Sequence, residues 1–230
     1  MRRFFAVLAS TLSLAAPALA DGPVVLELYT SQGCSSCPPA DAILHELAGR
    51  SDVIPLALHV DYWDYIGWVD EFARPEHTTR QQDYVRVAGG NTIYTPQMVI
   101  AGETHVIGAK AMEIGAAIEY QRNRTTGATV EIERRGDQLS ITGETLNALP
   151  AGTFVQLVRY TPSATVDVRR GENAGRELTY TNIVQSWDIV GEWNGAEDLA
   201  INVAVSGSDP IAVIVQEPGP GSIIASAVLR

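Results

Sequence analysis

Two cysteines, Cys34 and Cys37, are the residues in this chain whose type and spacing best suit covalent chemistry. They lie three positions apart, between a β-rich run (24–29) and an apolar pattern of helical period (40–47). A thiol at a helix N-terminus has a lowered pKa, because free backbone N–H groups and the helix dipole stabilise the thiolate. The pattern therefore predicts a redox-active dithiol. Cys34, the more exposed thiol, would attack a partner, and Cys37 would resolve the mixed disulfide.

Two other interpretations of the cysteine pair stay open. A static disulfide across so short a loop stabilises a fold by only about 2 kcal/mol, against about 4.7 kcal/mol for a loop of about 100 residues. A structural metal site needs further ligands, and no second cysteine pair accompanies the four histidines. Thiolates are nevertheless soft ligands that suit copper(I), with His59 as a candidate third ligand. The leading expectation is a dithiol without metal or cofactor.

Three polar residues could tune the dithiol or relay its protons. Glu27 lies on the strand that leads into the cysteine motif, where a desolvated carboxylate could take the proton of Cys37. The alternative is that Glu27 meets solvent or an arginine, since carboxylates are rarely buried alone. His59 and Asp61 end the next predicted strand (53–60), where they could relay protons or simply be hydrogen-bonded.

An aromatic segment follows that strand, at the end of a predicted parallel strand where α/β proteins place functional loops. Trp63, Tyr65 and Trp68 lie in it. They could form a wall that binds a substrate, or they could only pack the segment, because large aromatic side chains dominate both cores and binding surfaces.

The composition excludes some partners and predicts a compartment. Sixteen basic against 27 acidic side chains give a net charge of −11, which disfavours binding to nucleic acid or to an anionic membrane. Residues 1–20 contain Arg2 and Arg3, an apolar run and a small-residue cleavage site, the pattern of a cleaved signal peptide. We therefore expect a bacterial periplasmic or secreted protein with no membrane anchor after cleavage, in a compartment where disulfides persist.

The two halves of the chain differ in pattern. Residues 21–124 alternate strands with helices, the helices being expected at 40–47, 76–88 and 109–121. Residues 125–230 lose the helical period and show about eight short alternating runs separated by turn signals. This pattern predicts an α/β domain followed by an all-β, sandwich-like domain.

The order of elements around the cysteines resembles the thioredoxin fold. Strand, C-x-x-C, helix and strand are followed by Tyr94-Thr95-Pro96-Gln97, which opens a hairpin ahead of a last helix. The resemblance implies that the Thr95–Pro96 bond is cis and that Pro96, preceded by Thr95, positions the substrate beside the dithiol. An ordinary trans proline is the alternative, since most X-Pro bonds are trans. The longer gap between Cys37 and Pro96 is an inserted helical and aromatic segment.

The same motifs resemble one particular family. The run around Cys34, the segment 59–68, and Arg-Gly-Glu-Asn-Ala-Gly at 170–175 are similar to the exported bacterial thioredoxin-like family known as domain of unknown function 1223. The resemblance spans nearly the whole chain after residue 20 and implies a fold and a compartment, but no reaction. Arg170, Glu172 and Asn173 could bind a ligand, although Asn-Ala-Gly is good turn chemistry.

Together these observations predict an exported thiol–disulfide oxidoreductase that acts through Cys34 and Cys37. Its partner would be an extracytoplasmic protein or a small molecule carrying a thiol or a disulfide. Two alternatives stay open: a copper(I) chaperone that uses the same thiolates, and a non-enzymatic interaction module with a static disulfide. Neither the direction of electron flow nor the oligomeric state follows from the sequence.

Overall fold

The computed structural model describes residues 22–230, and the predicted signal peptide, residues 1–20, lies outside the described residues. Three α-helices are present in the described part: α1 (Pro38–Leu47), α2 (Pro75–Val87) and α3 (Ala111–Arg122). The described strands, in chain order, are β1 (Val24–Thr30), β2 (Val53–His59), β3 (Gln97–Ile100), β4 (Thr104–Ile107), β5 (Ala128–Arg135), β6 (Gln138–Thr145), β7 (Phe154–Val168), β8 (Arg176–Glu192), β9 (Leu199–Ala204), β10 (Ile211–Gln216) and β11 (Ile223–Leu229).

Eight of these strands form one mixed sheet, in the order β11-β10-β7-β8-β2-β1-β3-β4. β1 and β2 are parallel over seven residue pairs, and β3 and β4 continue the sheet antiparallel to β1. On the other side, β8 pairs with β2 in parallel at a single position, Ala57 opposite Ile183. The remaining strands, β5-β6-β9, form a separate three-stranded antiparallel sheet.

The predicted architecture, an α/β thioredoxin-like domain with an inserted segment followed by an all-β sandwich-like domain, is wrong. Strands make up 43% and helices 18% of the structure, and strands from both halves of the chain share the eight-stranded sheet. Hydrophobic period identifies which residues form strands, but it does not reveal which strands pair. The predicted division between residues 124 and 125 stays a prediction.

The strands at the centre of the sheet are buried on both faces. Every residue of β1 and β2 is buried, as expected from the continuous apolar run of β2. Leu26 and Leu28 of β1 pack against α1 and α3 on one face, whereas Val25 and Tyr29 pack on the other face in a cluster that includes Tyr84 of α2. Neighbouring residues of β1 therefore have different surroundings, which decides what each polar side chain near the cysteines can reach.

Two further packing layers complete the fold. The three-stranded sheet packs its apolar face over β7, β10 and β11. The segment 61–72, which contains a short 3₁₀ helix (Asp64–Ile66), packs through Trp68 and Phe72 against the β7–β8 hairpin. Among residues 22–230, no helix is long and apolar enough to cross a lipid bilayer.

Candidate functional site

Cys34 and Cys37 form a disulfide at the N-terminus of α1, with a Cα–Cα distance of 5.4 Å. Cys37 is the residue that caps the helix, and Pro38 and Pro39 occupy its first turn, where no backbone N–H is needed. Both cysteines are buried in the structure: Cys34 is 1% and Cys37 0% accessible. The two serines between them are exposed, so the loop reaches the surface while its sulfurs are covered.

The segment 61–72 forms one side of this cover. Gly33 packs so closely that a Cβ there would lie 3.1 Å from both Trp63 and Ile66. The Trp68 indole N–H donates a hydrogen bond of 2.7 Å to the Gln32 side chain. Two of the predicted wall residues, Trp63 and Trp68, therefore lie against the cysteine loop. Tyr65, the third, stacks on Trp63 and is 81% exposed.

The loop between β7 and β8 forms the other side of the cover. The Asn173 amide donates to the backbone oxygens of Gln32 and Cys34, at 2.9 and 3.0 Å. The Glu172 carboxylate accepts from the Ser35 backbone N–H at 3.3 Å. Asn173 is 1% exposed, so its side chain is part of the site and not only of a turn. The loop thus fastens the second half of the chain directly onto the cysteine loop.

The Thr95–Pro96 peptide bond is cis, the isomer that the resemblance implied. The Trp63 indole N–H donates to the Thr95 hydroxyl at 2.7 Å. A Cβ on Gly108 would lie 3.1 Å from Pro96 and 3.0 Å from Ala40 of α1, so Pro96 lies beside the start of α1. Thr95 and Pro96 thus lie close to the cysteine loop, and their role in positioning a substrate stays a prediction.

His59, at the end of β2, forms a buried pair with Asp70. His59 Nδ1 and Asp70 Oδ2 are 2.7 Å apart, and both side chains are fully buried. Asp70 also accepts from the backbone N–H groups of Gln32 and Phe72. Burial alone would raise the pKa of Asp70, but the charge of His59 and these hydrogen bonds outweigh burial and lower it. Asp70 is therefore held as a carboxylate directly behind the cysteine loop.

The pKa of Asp41 is shifted in the opposite direction from that of Asp70. It lies one helical turn after Cys37, and its Oδ1 accepts a 2.8 Å hydrogen bond from Thr30 at the end of β1. Burial raises the pKa of Asp41 to about 7, more than His59 and Thr30 lower it. Asp41 therefore titrates near neutral pH.

Glu27 lies on the opposite face of the sheet. Arg80 of α2 holds it with two hydrogen bonds of 2.7 and 2.8 Å, and Tyr29 and Tyr84 donate to the same carboxylate. Glu27 therefore has the arginine partner that was the alternative to a carboxylate beside Cys37. Asp61 accepts a hydrogen bond from Thr78 of α2. Their roles in proton transfer stay predictions.

The sequence did not point to several of the site residues. Asp41 could have been found from its position four residues after Cys37 on one face of a helix. Asp70 and Tyr180 of β8, whose ring lies 4.6 Å from that of His59, carry no such signal, because each reaches the site through a tertiary contact. Within the described residues, no group of three histidine, cysteine or acidic side chains is arranged to hold a metal ion.

Comparisons with known proteins agree with this architecture. A crystal structure of protein AGR_C_4864 from Agrobacterium tumefaciens matches with 32% identity and a TM-score of 0.79, over 92% of this chain and 96% of that one. HBP35 of Porphyromonas gingivalis matches in fold, with 15% identity and a TM-score of 0.55, over 91% of this chain and 75% of that one. A comparison with the curated proteins finds no match. Residues 25–216 match the family described as protein of unknown function (DUF1223), and the chain belongs to that family.

Proposed function

We propose that the protein carries out thiol–disulfide exchange through Cys34 and Cys37 on an extracytoplasmic partner, periplasmic or secreted. The observation that carries the proposal is the disulfide at the N-terminus of α1, where Cys37 is the capping residue. The helix dipole at this position favours a thiolate and therefore a good attacking or leaving group. The partner is a protein or small molecule with a thiol or a disulfide.

The exchange is balanced without any cofactor. When the dithiol is reduced, the Cys34 thiolate attacks a disulfide of the partner, forms a mixed disulfide and releases one partner thiolate, which takes a proton. Cys37 then loses its proton and attacks Cys34, so the Cys34–Cys37 bond forms and the second partner sulfur leaves. The two cysteines are oxidised and the partner disulfide is reduced. The reverse sequence oxidises a partner dithiol.

Replacing Cys37 by serine is expected to trap the mixed disulfide. In Cys37→Ser the attack by Cys34 can occur but its resolution cannot, so a stable adduct accumulates. The measurement is stopped-flow release of thionitrobenzoate from the aromatic disulfide dithiobis(nitrobenzoate), followed by mass spectrometry. The reduced native protein should release two equivalents, whereas Cys37→Ser should release one and keep the other covalently bound.

Cys34→Ser is the matched control, because it also leaves one thiol at the same helix end. It should react at least tenfold more slowly than Cys37→Ser if Cys34 is the attacking thiol. Equal rates for the two variants would contradict the assigned roles. A native protein that reacts only as fast as it unfolds would contradict the proposed function and favour a static disulfide.

Removing the Asn173 amide is expected to make the disulfide more accessible. Asn173→Ala deletes two hydrogen bonds to the backbone of the cysteine loop. With a net contribution of about 1 kcal/mol each, their loss should speed reduction of the disulfide by dithiothreitol roughly tenfold or more. The measurement is the pseudo-first-order reduction rate of the folded protein.

Arg170→Ala is the control for this variant, since Arg170 is exposed and lies on the same loop. It should be reduced at the native rate. Urea unfolding of both variants separates local opening of the loop from a loss of global stability. An unchanged reduction rate in Asn173→Ala would show that this loop does not limit access to the sulfurs.

A further inference from the structure

Four buried side-chain atoms in the described part of the chain lack a hydrogen-bond partner: Gln32 Nε2, Asp41 Oδ2, His59 Nε2 and the Tyr180 hydroxyl. A buried polar atom without a partner is costly, and such atoms are therefore rare. All four belong to residues near the cysteine loop, although they come from different elements: the loop itself, α1, β2 and β8. The four atoms therefore mark one polar region beside the cysteine loop.

Contacts between these residues show that they form one cluster. Thr30, which donates to Asp41, lies directly opposite His59 in the pairing of β1 with β2. The His59 ring lies 4.6 Å from the Tyr180 ring, edge to face. The backbone of Gln32 and the ring of His59 bind the same oxygen of Asp70. We call Asp41, His59, Asp70 and Tyr180 the buried cluster.

The cluster borders a groove on one side. A groove of about 430 Å³ runs between α1 and β8, and Asp41 and Tyr180 both line it. Asp41 is 8% exposed, in contrast to the fully buried pair of His59 and Asp70. Asp41 is therefore the carboxylate of the cluster that borders this groove, although its Oδ2 is itself buried, whereas His59 and Asp70 do not line the groove.

Two carboxylates in one cluster have pKa values shifted in opposite directions, the arrangement that separates an acid from a base at a catalytic site. Burial raises that of Asp41, and the charge of His59 with hydrogen bonds lowers that of Asp70. The groups that face Asp41 are Thr30 from β1, His59 from β2, Asp70 from the segment 61–72 and Tyr180 from β8. His45, on the same helix, is bonded to Thr181.

We propose that Asp41 is the proton acceptor for Cys37 during thiol–disulfide exchange, with the other members of the buried cluster as its positioning residues. The inference rests on the proposed function. Cys37 and Asp41 lie four residues apart on the buried side of α1, and the Asp41 backbone N–H donates to the Cys37 carbonyl. Glu27, the carboxylate favoured by position in the sequence, is paired with Arg80 on the other face of the sheet.

In the mixed disulfide between Cys34 and a partner, the Cys37 thiol gives its proton to the Asp41 carboxylate. The resulting thiolate attacks Cys34 Sγ, the Cys34–Cys37 bond forms, and the bond from Cys34 to the partner sulfur breaks. The partner sulfur leaves with the electron pair as a thiolate. Asp41 then returns its proton to water in the groove.

The test uses the two phases of thionitrobenzoate release from the reduced full chain. The first phase, attack by Cys34, depends on the concentration of dithiobis(nitrobenzoate), and the second, attack by Cys37, does not. In the native protein the second rate constant should rise through a midpoint near pH 7. In Asp41→Asn this rise near pH 7 should vanish. The second phase above pH 7.5 should slow at least tenfold, while the rate of the first phase is unchanged.

Glu46→Gln is the matched control, an exposed carboxylate removed from the same helix, and it should behave as the native protein does. Thr30→Val is a second, milder variant, expected to move the midpoint to higher pH, because it removes the Thr30 hydrogen bond that lowers the pKa of Asp41. If neither Asp41→Asn nor this second, milder variant alters the pH profile of the second phase, the proposal is overturned. If the native protein shows no first phase, the proposed function fails instead, so the two failures are distinguishable.

Discussion

Replacing Arg80 by methionine is expected to lower the free energy of unfolding by about 3–5 kcal/mol, because the Glu27 carboxylate would stay buried without its partner. Glu27 is 0% exposed, and Arg80 is held there by Gln216 and Tyr84 as well. The guanidinium also lies 3.8 Å over the Trp187 ring, a cation–π contact that the methionine would lose. Urea unfolding at pH 7, followed by circular dichroism, measures the change.

Arg86→Met is the matched control on the same helix. Arg86 pairs with Asp83 at the surface, where an ion pair is worth about 1 kcal/mol or less. A double variant, Glu27→Leu with Arg80→Met, should recover part of the lost stability, since it removes both buried charges together. Arg80→Met with the stability of Arg86→Met would mean that Glu27 is not a buried carboxylate in solution.

This ion pair also connects the sheet across the chain. Arg80 lies on α2, Glu27 on β1, and Gln216 on β10 accepts from Arg80 at 2.9 Å. Gln216 in turn donates to the Tyr84 hydroxyl, so the network joins a central strand, a helix and a strand near the far edge. Glu27, for which the sequence left open a proton-transfer role and an arginine partner, therefore contributes to holding the two halves together.

Local elements were predictable from the sequence because their signals are local. The helices expected at 40–47, 76–88 and 109–121 are present as α1, α2 and α3, with ends shifted by one or two residues. Pro38 and Pro75 at the helix starts explain part of these shifts, since proline suits a first turn. β7 is 15 residues long, longer than the short runs expected in this half of the chain, and its pairing with β8 shifts near Tyr160.

Pairing between distant strands could not be predicted in the same way. β2 and β8 meet at one residue pair, Ala57 and Ile183, that are far apart in the chain. Nothing in the local pattern of β8 distinguishes a strand that extends the first sheet from one in a separate domain. That single parallel contact, supported by Asn182 donating to the Pro55 carbonyl, decides the architecture.

The residues of the candidate site also divide into those that a local motif predicts and those that only a tertiary contact brings to the site. Cys34, Cys37 and Pro96 follow from motifs within short stretches, and the structure brings them to one end of α1. Asn173 and Asp70 reach the cysteine loop from outside it, through a hairpin loop and an irregular segment. The surroundings of the cysteine loop could not be predicted for this reason, since they consist of segments that are distant in the chain.

Asp41 should make the protein less stable as the pH rises, the reverse of an ordinary surface carboxylate. Its pKa is about 7 in the folded protein and 3.8 as the reference for an unfolded chain, so the folded state binds more protons between these values. The contribution of Asp41 to the free energy of unfolding is then fully present below about pH 4 and is lost as the pH rises through 7. A difference of this size corresponds to roughly 4 kcal/mol.

The difference between the native protein and Asp41→Asn isolates this group. The asparagine side chain of the variant cannot ionise, so its free energy of unfolding should gain on the native value by up to roughly 4 kcal/mol between pH 4 and pH 8. Urea unfolding of the oxidised proteins at several pH values measures it, with Glu46→Gln as the control that should show no such trend. A constant difference across this range would mean that Asp41 keeps an ordinary pKa.

Two other groups act with the opposite sign, and for this reason the native pH profile alone would be misleading. Asp70, whose pKa is lowered, contributes stability that is lost as the pH falls through its folded value. Burial lowers the pKa of His77 to about 4, so stability is also lost as the pH falls from about 6.5 to 4. The contribution of His77 cancels when Asp41→Asn is compared with the native protein, and the remaining trend reports the protonation of Asp41 together with its coupling to Asp70.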